Sequence, residues 1–275
     1  MKKLLCRTLS RTLIPSITRK YEKKFGNYVV CFHGVNKKNY NLNRGAQVDL
    51  LVSQFIDIVS WLENRFHFIS PNQLFDQRTK GGVLLTFDDG LLNNYYNVMP
   101  YLESRKIPAL YFLSTGPILK KTNPLWFIKK RIYAHYNHGI VTNQVIYNDL
   151  YSFMNEKQIN SASHEFSFVY FGAHTVTHPD LIYCKPERIY DELYQSKMDV
   201  ENMTNKPCQF FAYPRGLINS QVKRVAKTIF KASFAVDNYD DRDNYMIPRV
   251  SLHQSDFHYL DLKFSLFHKR NFKGE

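Results

Sequence analysis

The chain has 275 residues, 44% of them hydrophobic and 15% aromatic, with a formal charge of +13. That is enough apolar material to bury a full core in one large domain. The four cysteines (Cys6, Cys31, Cys184, Cys208) are scattered without a C-x-x-C pair, which argues against a thiolate zinc site or a disulfide-stapled module and for a reducing compartment.

Much of the charge sits in an N-terminal arm, residues 1–26. Lys2, Lys3, Arg7, Arg11, Arg19, Lys20, Lys23 and Lys24 oppose only Glu22 there. Arg7 and Arg11 interrupt what would be the apolar region of a signal peptide, so the arm reads as uncleaved. Leu5, Leu9 and Leu13 recur at helical spacing between basic residues. The arm is therefore either an amphipathic helix on an anionic membrane surface or a solvated basic segment. No apolar run of roughly 18 residues predicts a membrane span. Beyond the arm the charges are dispersed and no recognition motif accompanies them, so no nucleic-acid partner is expected.

From Tyr28 onward, extended and helical patterns alternate. Tyr28 to Phe32 is a β-rich run, and Phe55, Ile58, Val59 and Leu62 recur at helical spacing behind Ser53 as N-cap. Strands are predicted at 66–69 and 83–87, a helix around 94–105, and a strand at 109–113. Residues 116–165 read as an irregular insertion near the rim of the fold, with an amphipathic element around Trp126 to Tyr133. Then come a strand at 166–171, a helix at 187–203, a strand at 209–213, a helix at 221–230, strands at 232–236 and 247–252, and an amphipathic helix at 257–267. Seven or eight strands alternating with helices predict right-handed parallel βαβ units and a closed or nearly closed α/β barrel. Residues 27–275 then form a single catalytic domain behind the arm.

The barrel gives the polar motifs a common address. Asp88-Asp89-Gly90 follows one predicted strand, His174 with His178 another, and Pro214-Arg215-Gly216 a third. Barrel enzymes build their sites at that strand-end face. Two histidines and one carboxylate suffice to hold a zinc-like ion with a position open, and the second carboxylate is free to accept a proton from water. The H-x-x-x-H spacing suits a helix, but Gly172 and Pro179 bracket it and argue for a turn.

Thr86-Phe87-Asp88-Asp89-Gly90, His174-Thr175-Val176-Thr177-His178 and Phe210-Phe211-Ala212-Tyr213-Pro214-Arg215-Gly216 together resemble the first three signature motifs of the polysaccharide deacetylase family, the NodB-homology domain of carbohydrate esterase family 4. The similarity runs from about Tyr28 to His253. It implies a distorted (β/α)7 barrel, with Asp88 as general base, Asp89, His174 and His178 as ligands of a divalent metal, and the Tyr213 backbone N–H receiving the oxyanion. A mixed His/Asp set suits zinc first, with cobalt, nickel or iron as alternatives.

The chain departs from the family pattern in two places. A late Leu-x-His acid with its Asp-Trp support is not clearly present; Ser251-Leu252-His253 falls at the right place, whereas His33, just after the first strand, resembles the early histidine of members acting on poly-N-acetylglucosamine. His33 is the preferred acid and His253 the alternative. Ala212 stands where many members carry an arginine paired with the base, so Arg215 or Arg249 would supply that charge and lower the Asp88 pKa.

The expectation is a hydrolase removing acetyl groups from an N-acetylated carbohydrate, by N-deacetylation of a surface polysaccharide or its precursor. It would act in the cytoplasm, with the basic arm attached peripherally to the inner face of the membrane. An O-deacetylase, or a non-catalytic glycan-binding module on the same scaffold, are the alternatives. A dehalogenase-type phosphatase is set aside, because its two aspartates are spaced by one residue and Asp88 and Asp89 are adjacent.

Overall fold

The computed structural model describes residues 27–37, 50–120, 152–236, 243–252 and 260–267. The arm, His253 and the element around Trp126 lie outside the described residues. In chain order the elements are β1 (Tyr28–Phe32), β2 (Val35–Asn36), β3 (Leu50–Leu51), α1 (Val52–Glu63), β4 (His67–Phe68), β5 (Gly82–Phe87), α2 (Leu92–Asn97), α3 (Met99–Ser104) and β6 (Ala109–Leu113). They continue with α4 (Thr115–Ile118), α5 (Glu156–Glu165), β7 (Val169–Ala173), α6 (Pro186–Thr204), β8 (Phe210–Ala212), α7 (Ser220–Ile229), β9 (Ala232–Phe234), β10 (Val250–Ser251) and α8 (Leu260–Phe267).

The main sheet is parallel, in the order β10-β1-β5-β6-β7-β8-β9, with β4 beside the start of β5. The path curls back on itself. Phe234 of β9 makes a parallel bridge with Ile247, and three residues later Val250 pairs with Val30 of β1. The result is the distorted (β/α)7 barrel expected from the sequence. Pro248 lies between the two contacts and has no N–H for a ladder. The strand expected at 247–252 is therefore reduced to one bridge and the two residues of β10.

Side-chain alternation along the strands makes two apolar layers. Val29, Leu84, Leu110, Phe112, Phe210, Ala212, Ala232 and Phe234 fill the barrel interior. Val30, Phe32, Leu85, Phe87, Tyr111 and Phe211 face outward to the helices, where Phe55, Ile58, Val59 and Leu62 of α1 meet them. Each such side chain, fully buried, contributes about 1.5–3 kcal/mol. Gly172 of β7 faces inward, where a Cβ would sit 2.8 Å from the Phe112 ring and from Phe210 O.

Several expected boundaries shift for local reasons. Helix α1 begins after Leu51 rather than Ser53, and the Leu51 N–H donates to Gln54 Oε1 at 3.0 Å. The helix expected around 94–105 breaks at Val98 into α2 and α3, because Pro100 in the first turn of α3 has no N–H to continue the ladder. Within 116–165, α5 is regular: Asn155 Oδ1 accepts from Gln158 N and Gln158 Oε1 from Asn155 N, a reciprocal cap. The same segment returns to the rim just beyond the aspartate pair, where Met154 N–H donates to Gly90 O and Leu92 N–H to Ser152 O.

Candidate active site

Alternation along β5 sends Thr86 inward, and Asp88 continues that face. The Asp88 N–H donates to Phe32 O at 3.0 Å, carrying the β1–β5 ladder one residue past the strand. Asp89 and Gly90 then adopt left-handed backbone, with φ of 75° and 81°. Aspartate tolerates that region better than most side chains. The turn sends the two neighbouring carboxylates in different directions.

Asp88 turns toward Arg249, which enters the barrel from the gap in the closing strand. Arg249 Nη1 donates to Asp88 Oδ1 at 2.7 Å and Nη2 to Oδ2 at 2.8 Å. Its Nε donates to Ala235 O at 2.8 Å and Nη1 also to Thr86 Oγ1 at 3.2 Å, while its guanidinium carbon lies 5.4 Å from the Phe112 ring centroid. The Cys31 thiol approaches Asp88 Oδ2 at 3.5 Å. Burial by itself would raise the Asp88 pKa. The Arg249 charge, followed by His174 and His33, outweighs it and holds the carboxyl well below the usual carboxylate range.

Asp89 turns toward the histidines. His174 leaves β7 with its N–H donating to Leu113 O at 2.9 Å. Left-handed backbone at Thr175 and His178 makes the H-x-x-x-H segment a loop rather than a helical turn. The His174 Nδ1–H donates to Ala212 O at 2.7 Å, which leaves Nε2 as the lone-pair nitrogen. Asp89 Oδ1 lies 3.7 Å from Nε2 of both His174 and His178. That is too long for a hydrogen bond and close to the roughly 3.3–3.6 Å between ligand atoms that each bind one tetrahedral ion at about 2.0–2.2 Å. All three donor atoms fall within 4.8 Å of one another, and all three residues are buried. Burial lowers the pKa of His174, and that of His178 more strongly, where His174 and Arg215 add to it. Both imidazoles are thus neutral near pH 7, the form a metal ligand requires. The donor set fits a divalent ion.

The other expected residues separate into distinct roles. Arg215 pairs with Asp180 at 2.6 Å, at the rim, so the charge opposite Asp88 comes from Arg249 and not from Arg215. Arg249 is fully buried behind the carboxylate and holds it from the barrel interior. The Tyr213 N–H donates to Phe234 O at 3.0 Å, extending the β8–β9 ladder instead of presenting a donor for an oxyanion. Pro214 is buried and opens the Pro214–Gly216 turn. His33 is half-buried one residue beyond β1, and its charge is felt at Asp88.

Two groups of residues were not anticipated. Glu192 of α6, itself buried, accepts from Val176 N at 2.9 Å, from Thr177 N at 2.8 Å and from the Thr177 hydroxyl, clasping the loop between the two histidines. Asp199, on the same face of α6, accepts from Thr115 Oγ1 at 2.7 Å. The sequence signal was an acidic residue at i and i+7 within the apolar stripe of Ile189, Leu193 and Val200. The second group is Asn93, Asn94 and Asn97 of α2, which bond to the chain following β1.

A parallel barrel whose strand ends carry an arginine-paired carboxylate beside an Asp-His-His cluster that could hold a metal ion has the layout of a hydrolase centre. Comparison with known families narrows the class: a family model described as polysaccharide deacetylase matches residues 76–229, more than half of the chain, and the chain belongs to that family. A curated relative, the poly-beta-1,6-N-acetyl-D-glucosamine N-deacetylase of Staphylococcus aureus strain MSSA476, is 23% identical over 263 residues, covering 90% of this chain and 80% of the relative. Among solved structures, the Streptococcus pyogenes deacetylase PplD in complex with acetate superposes with a TM-score of 0.66 at 18% identity, covering 86% of this chain and 96% of that one. IcaB from Ammonifex degensii gives a TM-score of 0.65 at 19% identity, covering 88% and 98%. At these identities the structural likeness speaks to the fold.

Proposed function

We propose that this protein is a metal-dependent N-deacetylase acting on N-acetylhexosamine units of a surface polysaccharide or its precursor, a glycan of the kind named for its staphylococcal relative. The observation that carries the reading is the division of labour between adjacent aspartates. Asp89 shares a cluster with two neutral histidines, and Asp88 is kept outside it by two hydrogen bonds from Arg249. A divalent ion held by Asp89, His174 and His178 would polarise the acetyl carbonyl and acidify a water.

The chain's own groups account for the remaining steps. Asp88, held ionised by Arg249, accepts the proton of the attacking water. His174 keeps one tautomer through Ala212 O, which fixes the ring whose Nε2 faces Asp89. His33 stands on the Asp88 side of the strand ends and donates a proton to the departing amine, without which an amide does not break. The buried floor of Phe112, Ala212 and Phe234 excludes bulk water below the site.

Acetate release is the direct test, with metal-loaded protein offered β-1,6-linked N-acetylglucosamine oligomers, nucleotide sugars and O-acetylated sugars, beside an Asp88→Asn control. Release from the N-acetylated oligomers, lost in the control with metal still bound, supports the reading. Release from O-acetylated sugars alone makes the protein an esterase. No release from any of them with metal bound sinks it. A cytoplasmic site with attachment to the inner membrane face is also proposed, supported by the charge of residues 1–26. Sedimentation with anionic vesicles, with and without the arm, tests that part.

A further inference from the structure

Helix α2 begins two residues after Gly90 and turns three asparagines toward the loop that follows β1. Asn93 and Asn94 are buried. Asn94 Nδ2 donates to His33 O at 2.9 Å, and Asn97 Nδ2 donates to Val35 O at 2.8 Å. Asn93 Oδ1 accepts from Val35 N at 3.4 Å, and its Nδ2 donates to Asn36 Oδ1 at 2.8 Å. The three side chains therefore bind residues 33, 35 and 36, through the backbone of His33 and Val35 and the side chain of Asn36. Among the described residues, Asn94 Oδ1 has no hydrogen-bond partner. A buried amide with one end unpaired is costly to keep. Its bond to the His33 carbonyl is the one hydrogen bond that this side chain makes among the described residues.

From this geometry we infer that Asn94 is a positioning residue for the proton donor, with Asn93 and Asn97 as its supports. The inference rests on the proposed role of His33 as acid. Because α2 follows directly from the turn at Asp89-Gly90, the asparagines tie the main chain of the acid to the element that carries the base. The separation between proton acceptor and proton donor is then set by a buried peptide-to-amide bond rather than by a mobile loop. Such a residue touches neither substrate nor metal, and its loss acts through His33.

Leaving-group chemistry separates this role from a structural one. An N-acetyl sugar must have its nitrogen protonated as the C–N bond breaks, whereas 4-nitrophenyl acetate expels a phenolate that needs no proton. Asn94→Ala is expected to lower the ratio of amide to ester turnover on the order of tenfold or more, as His33→Ala does more strongly, and to add nothing further in the double variant. Asn94→Asp, which replaces the donor by an acceptor at nearly constant volume, gives a second reading should the alanine variant fold poorly. Metal content and melting temperature accompany each variant. Equal losses on amide and ester, or an additive loss in the double variant, overturn the positioning role while leaving His33 as the acid. A His33→Ala variant with an unaltered amide-to-ester ratio overturns the acid assignment, and the role of Asn94 with it.

Discussion

Arg249 and Asp88 are joined by two parallel hydrogen bonds, Nη1 to Oδ1 at 2.7 Å and Nη2 to Oδ2 at 2.8 Å, inside a barrel where neither is more than 3% exposed. Removing one partner of a buried pair strands the other charge, so Arg249→Met is expected to destabilise the protein by about 3–5 kcal/mol near neutral pH and to abolish most turnover. Arg249→Lys keeps a charge but not the fork, and should fall between the two. The folded Asp88 carboxyl lies well below its usual value of about 3.9, so the pair contributes fully above roughly pH 5 and is lost as pH falls through the lower folded value. Denaturant titrations of parent and Arg249→Met should therefore converge in acid; a gap that is constant with pH would refute the ionised pair.

The histidine cluster predicts a different window. Burial depresses the folded pKa of both His174 and His178, so unfolded chains take up protons that the folded site resists. Metal-free protein should lose stability as pH falls below about 6.5, the unperturbed histidine value. His178→Gln should flatten that slope in melting curves recorded between about pH 5 and 8. An unchanged slope would show that other groups dominate.

Glu192 touches none of the three donor atoms, yet it fixes the loop between two of them. Glu192→Ala is expected to weaken metal binding about 10- to 100-fold, with Glu192→Gln nearer the parent. Competition with a chelator measures this directly, and parental affinity in the alanine variant would reduce Glu192 to a purely structural residue.

Gly172 leaves no room for a side chain between β7 and its neighbours. A methyl group there meets an aromatic ring and a backbone oxygen at 2.8 Å, so Gly172→Ala should cost about 1–3 kcal/mol, read as a lowered melting temperature. A variant that melts with the parent would mean that Phe112 yields without strain.

The parts of the site that the sequence disclosed are those that follow from local pattern. An apolar run ending in Asp88-Asp89, and another ending in His174, identify strand exits whatever the rest of the chain does. The choice between Arg215 and Arg249 was not local, since it depends on how the last strand closes the ring. Pro248 obscured that strand in the sequence as it shortens it in the fold. The asparagines of α2 and Glu192 look like ordinary polar residues on helices until their partners, 57 to 62 and 15 to 16 positions away, are brought beside them. Helix α5 carried too few apolar residues to betray its period, although Asn155 and Gln158 spelled out its cap.

The interrupted closing strand also has a temporal meaning. As the chain leaves the ribosome, both aspartates and both histidines emerge well before Arg249, the residue that keeps Asp88 charged. Until that last segment is laid into place, the carboxylate would sit among apolar neighbours without its principal counter-charge, and burial would favour its protonated form. A truncated product ending before residue 247 would thus hold every donor for the ion and still be inert. The segment that closes the ring is also the one that supplies the charge for Asp88.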